Sequence, residues 1–141
     1  MDRLTSLEFD AELHYEESSA GILVRIRLSH GNRSVELRAR LDTGAADCIF
    51  DESYAELLGL TDSGVPEARS PEAISDRGWF VQGSRHEVTV QTLGLEWTAM
   101  VFLQARGNPG HAFVGRRGWL DRIRLGIVHY EQRLLLGHYG S

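Results

Sequence analysis

Three runs of alternating apolar and polar residues occupy the first third of the chain, and the third ends on an aspartate followed by threonine and glycine. Leu7, Phe9, Ala11, Leu13 and Tyr15 alternate with Glu8, Asp10, Glu12 and His14. Ile22, Val24, Ile26 and Leu28 alternate with Leu23, Arg25, Arg27 and Ser29. Val35, Leu37, Ala39 and Leu41 form the apolar half of the third run. A period of two puts alternate side chains on opposite faces, so each run predicts a half-buried strand. His30-Gly31-Asn32, whose residues tolerate positive φ, predicts the hairpin turn joining the second and third. The string Leu41-Asp42-Thr43-Gly44-Ala45 therefore delivers a carboxylate at the end of a strand.

The remainder also reads mainly as strands. Cys48-Ile49-Phe50 predicts a short one, and Tyr54–Leu58 a brief helix capped by Asp51 or Ser53 and closed by Gly59. From Thr61 to Gly83 the periodicity fades, and two of the three prolines (Pro66, Pro71) fall there. That stretch predicts a long loop or mobile hairpin, and such a stretch inside a compact domain usually has a function. Glu87–Leu93 and Glu96–Leu103 predict a hairpin about Leu93-Gly94-Leu95, and Arg106–Gly110 another turn. Arg116–Arg122 suits one or two helical turns. Ile127–Tyr130 and Arg133–Leu136 predict a last pair of strands, with His129 and Tyr130 on a strand face. The fold class expected is all-β with one or two short helices, in a small closed or partly closed barrel.

Length and composition exclude several functions. At 141 residues the chain suits one domain spanning 1–141, able to bury roughly two-thirds of its unfolded surface. A net charge of -5 argues against nucleic acid as the partner. All fifteen basic residues are arginine, a bias from which no function follows. The single cysteine, Cys48, permits no internal disulfide and suits a reducing compartment. Met1-Asp2-Arg3-Leu4 opens no basic-then-apolar signal pattern, and no apolar run approaches the ~18 residues of a membrane span. A cytoplasmic location without membrane association is expected. His14, His30, His86, His111, His129 and His138 show no metal-ligand spacing, so neither a metal nor another cofactor is expected.

Two elements, in this order and spacing, resemble the retropepsins, the single-domain aspartic proteases. The first is Arg40-Leu41-Asp42-Thr43-Gly44-Ala45 at the end of a strand hairpin. The second, about seventy residues later, is Phe113-Val114-Gly115-Arg116-Arg117-Gly118-Trp119-Leu120. The resemblance covers about Gly21 to Leu136, with residues 1–20 adding an N-terminal strand. It implies a retropepsin-like barrel and a flap hairpin over the active site, formed by Thr61–Gly83 with its tip near Arg77-Gly78-Trp79-Phe80. It also implies Asp42, Thr43 and Gly44 as the catalytic loop. Ala45, Ala46, Asp47, Gly78, Trp79 and Phe80 would be substrate contacts.

That chemistry needs two carboxylates ~3 Å apart, which cannot both ionise cheaply and so share a proton. The ionised one acts as general base on a water, and the protonated one donates to the scissile carbonyl. The Asp-Thr-Gly string occurs once; Asp62 follows a helix in a loop, and Asp121 falls on the second short helix. A C2 homodimer contributing Asp42 from each subunit is the economical solution. Thr43 would then bond across the axis, and the substrate would be a peptide or protein. The expected activity is that of an aspartic endopeptidase, a hydrolase.

Departures from the family pattern stand beside this expectation. Ala46 offers no side-chain acceptor to Arg116, so that arginine must brace something else. The flap tip is bulky, with Trp79 and Phe80 beside one glycine. Leu134-Leu135-Leu136 suits either interleaving with a partner, as in viral dimers, or an internal strand. Two other readings stay open: a retropepsin-like dimerisation or peptide-binding module without catalysis, and a small binding barrel in which Asp42 merely begins a turn. Cys48, Trp97 and Trp119 read as core residues, and Trp79 as either substrate contact or packing.

Overall fold

The alternating runs become strands because each turns one apolar row inward. Val24, Ile26 and Leu28 on the second run are essentially inaccessible, whereas Arg25 and Arg27 between them are exposed. The computed structural model describes residues 3–15, 18, 21–60, 72–76, 79–105 and 112–139. These residues form strands β1 (Ala11–His14), β2 (Leu23–His30), β3 (Arg33–Leu41), β4 (Ile49–Asp51), β5 (Glu72–Asp76), β6 (Trp79–Thr92), β7 (Leu95–Gln104), β8 (Phe113–Val114), β9 (Ile123–Val128) and β10 (Arg133–His138). One short helix, α1 (Ser53–Leu57), and 3-10 turns at Leu120–Arg122 and His129–Glu131 join them. Glu52 occupies the N-cap of α1 without a side-chain cap, and the Asp51 carboxylate before it accepts the Ser53 N–H at 3.0 Å.

The larger sheet runs β2-β3-β8-β4-β7-β6-β5, and β6 also pairs with β2, through Arg27↔Gln91 to Ser29↔Thr89. The circuit is only partly closed: β8 shares two pairs with β3 and a single one with β4. Since β8 lies between β3 and β4, those two strands do not pair. The loop connecting them must cross the end of β8, which places Asp42 there. Inside the circuit lies the core, with Val88, Val90, Trp97, Ala99, Val101 and Trp119 buried beside the β2 row. Both tryptophans expected in the core are there, Trp97 donating to the Gly118 carbonyl at 2.7 Å and Trp119 to the Thr92 hydroxyl at 3.1 Å.

A second sheet has the order β1-β10-β9. Leu134 and Leu136 of its central strand are fully buried and belong to the same core. The three leucines are thus an internal strand, with both edges of β10 occupied within the chain. The N-terminal strand is shorter than its alternation suggests: Leu7 stays exposed, while Glu8 and Phe9 lie over Gly137 and Gly126. His129 and Tyr130 are not on a strand face. They lie in a 3-10 turn, because β9 must reverse into β10 within residues 129–132, and Gln132 takes left-handed φ of 55° to do so.

The stretch expected to be a loop or hairpin contains one. β5 pairs with the start of β6 from Glu72↔Gly83 to Asp76↔Trp79, while the rest of β6 pairs with β7. Residues 61–71, the connecting residues 77 and 78, and the turn expected at Arg106–Gly110 lie outside the described residues. At Gly83 the strand passes from one partner to the other, and a Cβ there would stand 2.0 Å from the Leu103 carbonyl oxygen. The turn Leu93-Gly94 has both residues at positive φ, as a two-residue hairpin loop requires. No helix among the described residues is long and apolar enough to cross a membrane.

Backbone cannot yield as a side chain can, so Gly83→Ala is expected to cost about 3 kcal/mol of stability. A urea denaturation series that gave an unchanged midpoint would contradict this close packing.

Candidate active site

Asp42 follows β3 directly, and hydrogen bonds hold it from three sides. Its N–H donates to the Val114 carbonyl of β8 at 3.0 Å, and its own carbonyl accepts the Ala45 N–H at 3.1 Å. Its carboxylate oxygen Oδ1 accepts the Gly44 N–H at 3.0 Å. Asp42 as a whole is half-buried, Thr43 and Gly44 are exposed beside it, and Ala45 and Ala46 are half-buried. The loop thus offers a fixed carboxylate at its rim.

The second motif meets the first along the backbone. Arg116 N–H donates to the Ala45 carbonyl and Arg117 N–H to that of Ala46, each at 2.9 Å. Arg117 bridges in parallel with Asp47 while Arg116 lies in a turn, and in this segment helical structure is confined to Leu120–Arg122. Gly115 lets the two segments approach: a Cβ on it would stand 2.4 Å from the Asp47 carbonyl oxygen and 2.6 Å from that of Ala45. The Arg116 side chain, which lacks an acceptor on Ala46, directs Nε to the Ala45 carbonyl at 3.4 Å.

Asp47 closes the loop and is buried, with 5% of its surface exposed. Arg85 of β6 donates to its Oδ1 at 2.8 Å, and Arg117 to its Oδ2 at 3.4 Å. The Arg85 contribution has no sequence signal, because 38 positions separate the partners and a strand arginine ordinarily faces solvent. Cys48 is buried next to it, its Sγ accepting the Gly115 N–H and donating to the Arg117 carbonyl, both at 3.4 Å. Burial pushes its thiol up to about 12, an effect that the Gly115 N–H only partly offsets. It is an inert packing residue, as its apolar neighbours suggest.

Other aspartates whose side chains are described are committed elsewhere. Asp10 accepts the His138 N–H at 2.8 Å, Asp51 the Ser53 N–H at 3.0 Å, and Asp121 the Gly118 N–H at 2.9 Å. Asp62 lies outside the described residues. Trp79 and Phe80 open β6 opposite Asp76 and Ser75, on the hairpin, and Gly78 lies outside the described residues. Among the described residues no group of three or more His, Cys, Asp or Glu is placed to hold a metal ion.

No family model matches the chain, and no curated protein matches it. Among solved structures it matches the crystal structure of a retropepsin-like aspartic protease from Rickettsia conorii, at 18% identity and a TM-score of 0.59. That match covers 90% of this chain and 99% of the other. At such identity the likeness is one of fold: the chain has a retropepsin-like, partly closed all-β fold.

Two outcomes check this geometry. Gly115→Ala is expected to lower the melting temperature by roughly 10 °C, because the added methyl meets two carbonyls rather than a movable side chain. Cys48 is expected to resist thiol reagents at pH 8 in the folded protein and to react fully in denaturant. Because its thiol ionises near 9 when unfolded and near 12 when folded, the unfolded state binds fewer protons across that interval. Stability should therefore fall between pH 9 and 12, by about 1.4 kcal/mol per unit, and Cys48→Ala should remove that slope.

Proposed function

We propose that the chain is an aspartic endopeptidase that works as a homodimer, with Asp42 of each subunit forming the catalytic pair on the twofold axis. One observation carries the reading: in a retropepsin-like fold, Asp42 directly follows β3 on the Thr43-Gly44 loop, its amide held by the Val114 carbonyl and its carboxylate accepting the Gly44 N–H. One such loop per chain supplies half of the chemistry, so a second copy has to supply the rest.

In the dimer the two carboxylates share a proton and titrate as a coupled pair. The ionised member takes a proton from a water as it attacks the peptide carbonyl, and the protonated member donates to the carbonyl oxygen. The Gly44 N–H, donating to Oδ1 at 3.0 Å, orients the carboxylate on the loop. Thr43, exposed in the single subunit, bonds to the partner loop. An extended polypeptide runs past Ala45 and Ala46 under the hairpin bearing Gly78, Trp79 and Phe80, its backbone paired as an added strand.

Asp42→Asn is expected to reduce peptide cleavage by on the order of 10⁴-fold or more while leaving a dimer in sedimentation. Cleavage by the wild type should follow a bell-shaped pH profile, as a shared proton requires. Equal rates for wild type and variant would end the protease reading. A dimer that neither cleaves peptides nor binds a pepstatin-like inhibitor would instead identify a peptide-binding module.

A further inference from the structure

We propose that Asp47 and Arg85 form an ion-pair lock between the Asp42 loop and the strand that carries the hairpin, making Asp47 a positioning residue rather than a contact for substrate. The catalytic consequence rests on the protease reading above. The lock itself rests on geometry.

A carboxylate as buried as Asp47 is stable only when its charge is paired. Arg85 provides the short contact, 2.8 Å to Oδ1, and Arg117 flanks it from the second motif at 3.4 Å. Arg85 is itself largely covered, and its guanidinium lies 5.8 Å from the centre of the Phe102 ring. Phe102 belongs to an apolar cluster outside the main core that also takes in Val81 and Ile74, one from each strand of the hairpin. Arg85 stands two residues past Gly83, the point where β6 exchanges β5 for β7. Loop and hairpin base thus meet at one charge pair lying on that cluster.

The loop is thereby fixed at both ends. Val114 holds Asp42 at one end, and Arg85 holds Asp47 at the other. A movement of the hairpin base transmitted along β6 has to carry Arg85 with it or break the pair. With Asp47 neutralised, the loop loses its charged tie to β6 at Arg85. Small misplacements of a reacting group are costly, so the effect should appear in turnover rather than in binding.

The test compares wild type, Asp47→Asn, Arg85→Gln and the double variant in steady-state peptide cleavage. Each single variant is expected to lower kcat about 100-fold with KM within about twofold. The double variant should be no slower than either single one, since both remove the same pair. Arg85→Lys, which keeps the charge and loses the fork, should recover part of the rate. A raised KM at unchanged kcat, or losses that multiply in the double variant, would overturn the proposal. Hydrogen exchange in the Asp42→Asn background reads the lock without catalysis. The amides of Ala45, Arg116 and Arg117 should exchange about 10-fold faster once Asp47→Asn is added. Unchanged exchange overturns the lock whether or not peptides are cleaved, whereas faster exchange in a protein that never cleaves upholds the lock and rejects the protease reading. Should Asp47→Asn fail to fold, Arg85→Lys and Arg85→Gln carry the same comparisons.

Discussion

Strands β3 and β4 follow one another along the chain but are held apart by β8, and that separation is the constraint on which the site depends. The chain leaving β3 has to cross the end of β8 before it can enter β4, and the crossing is made with backbone against backbone. Carbonyls of Ala45 and Ala46 accept amides from Arg116 and Arg117, and the amide of Asp42 reaches Val114. Such contacts are possible because Gly115 presents no side chain to the Ala45 and Asp47 carbonyls, which lie closer than a methyl group allows. A backbone hydrogen bond adds little net stability when made, yet leaving its groups unpaired away from water is expensive. The crossing is therefore rigid, and Asp42 inherits that rigidity.

Charge is used sparingly and in depth at this point. Most ion pairs among the described residues, such as Arg27–Glu36 at 2.6 Å, are exposed and contribute little. Asp47 differs because its charge is buried and shared between Arg85 of β6 and Arg117 of the segment after β8. A buried pair of this kind often contributes less to stability than an apolar replacement, but breaking it by removing one partner is costly. Its effect lies in specifying where the loop sits relative to β6. The neighbouring Cys48 thiol, held protonated by burial, accepts and donates within the same crossing without adding charge.

Much of the fold was legible because its signals are local. The alternations of β2 and β3, the hairpin turn at Leu93-Gly94 and the helix before Gly59 all appear where residue patterns place them. Local pattern failed where a residue answers to distant partners. β6 begins at Trp79 rather than near Glu87, because Gly83 and the polar residues after it serve a change of partner strand. His129 and Tyr130 carry a strand-like composition but occupy a 3-10 turn, set by the short return from β9 to β10. Leu134-Leu135-Leu136 suited two arrangements equally, and only the pairing of β10 with both β1 and β9 separates them.

The amino-acid sequence by itself determined that an aspartate would end a half-buried strand and be followed by a small, turn-forming loop, since period-two burial and glycine chemistry act over a few residues. It also determined that one such loop exists per chain. Only the tertiary structure decided that the Gly115-Arg116 element lies under that loop, and that Arg85 reaches Asp47 from 38 positions away. These depend on β8 inserting between β3 and β4 and on β6 running past the crossing. Strand order is settled by packing of the whole barrel, and no local pattern of side chains encodes it.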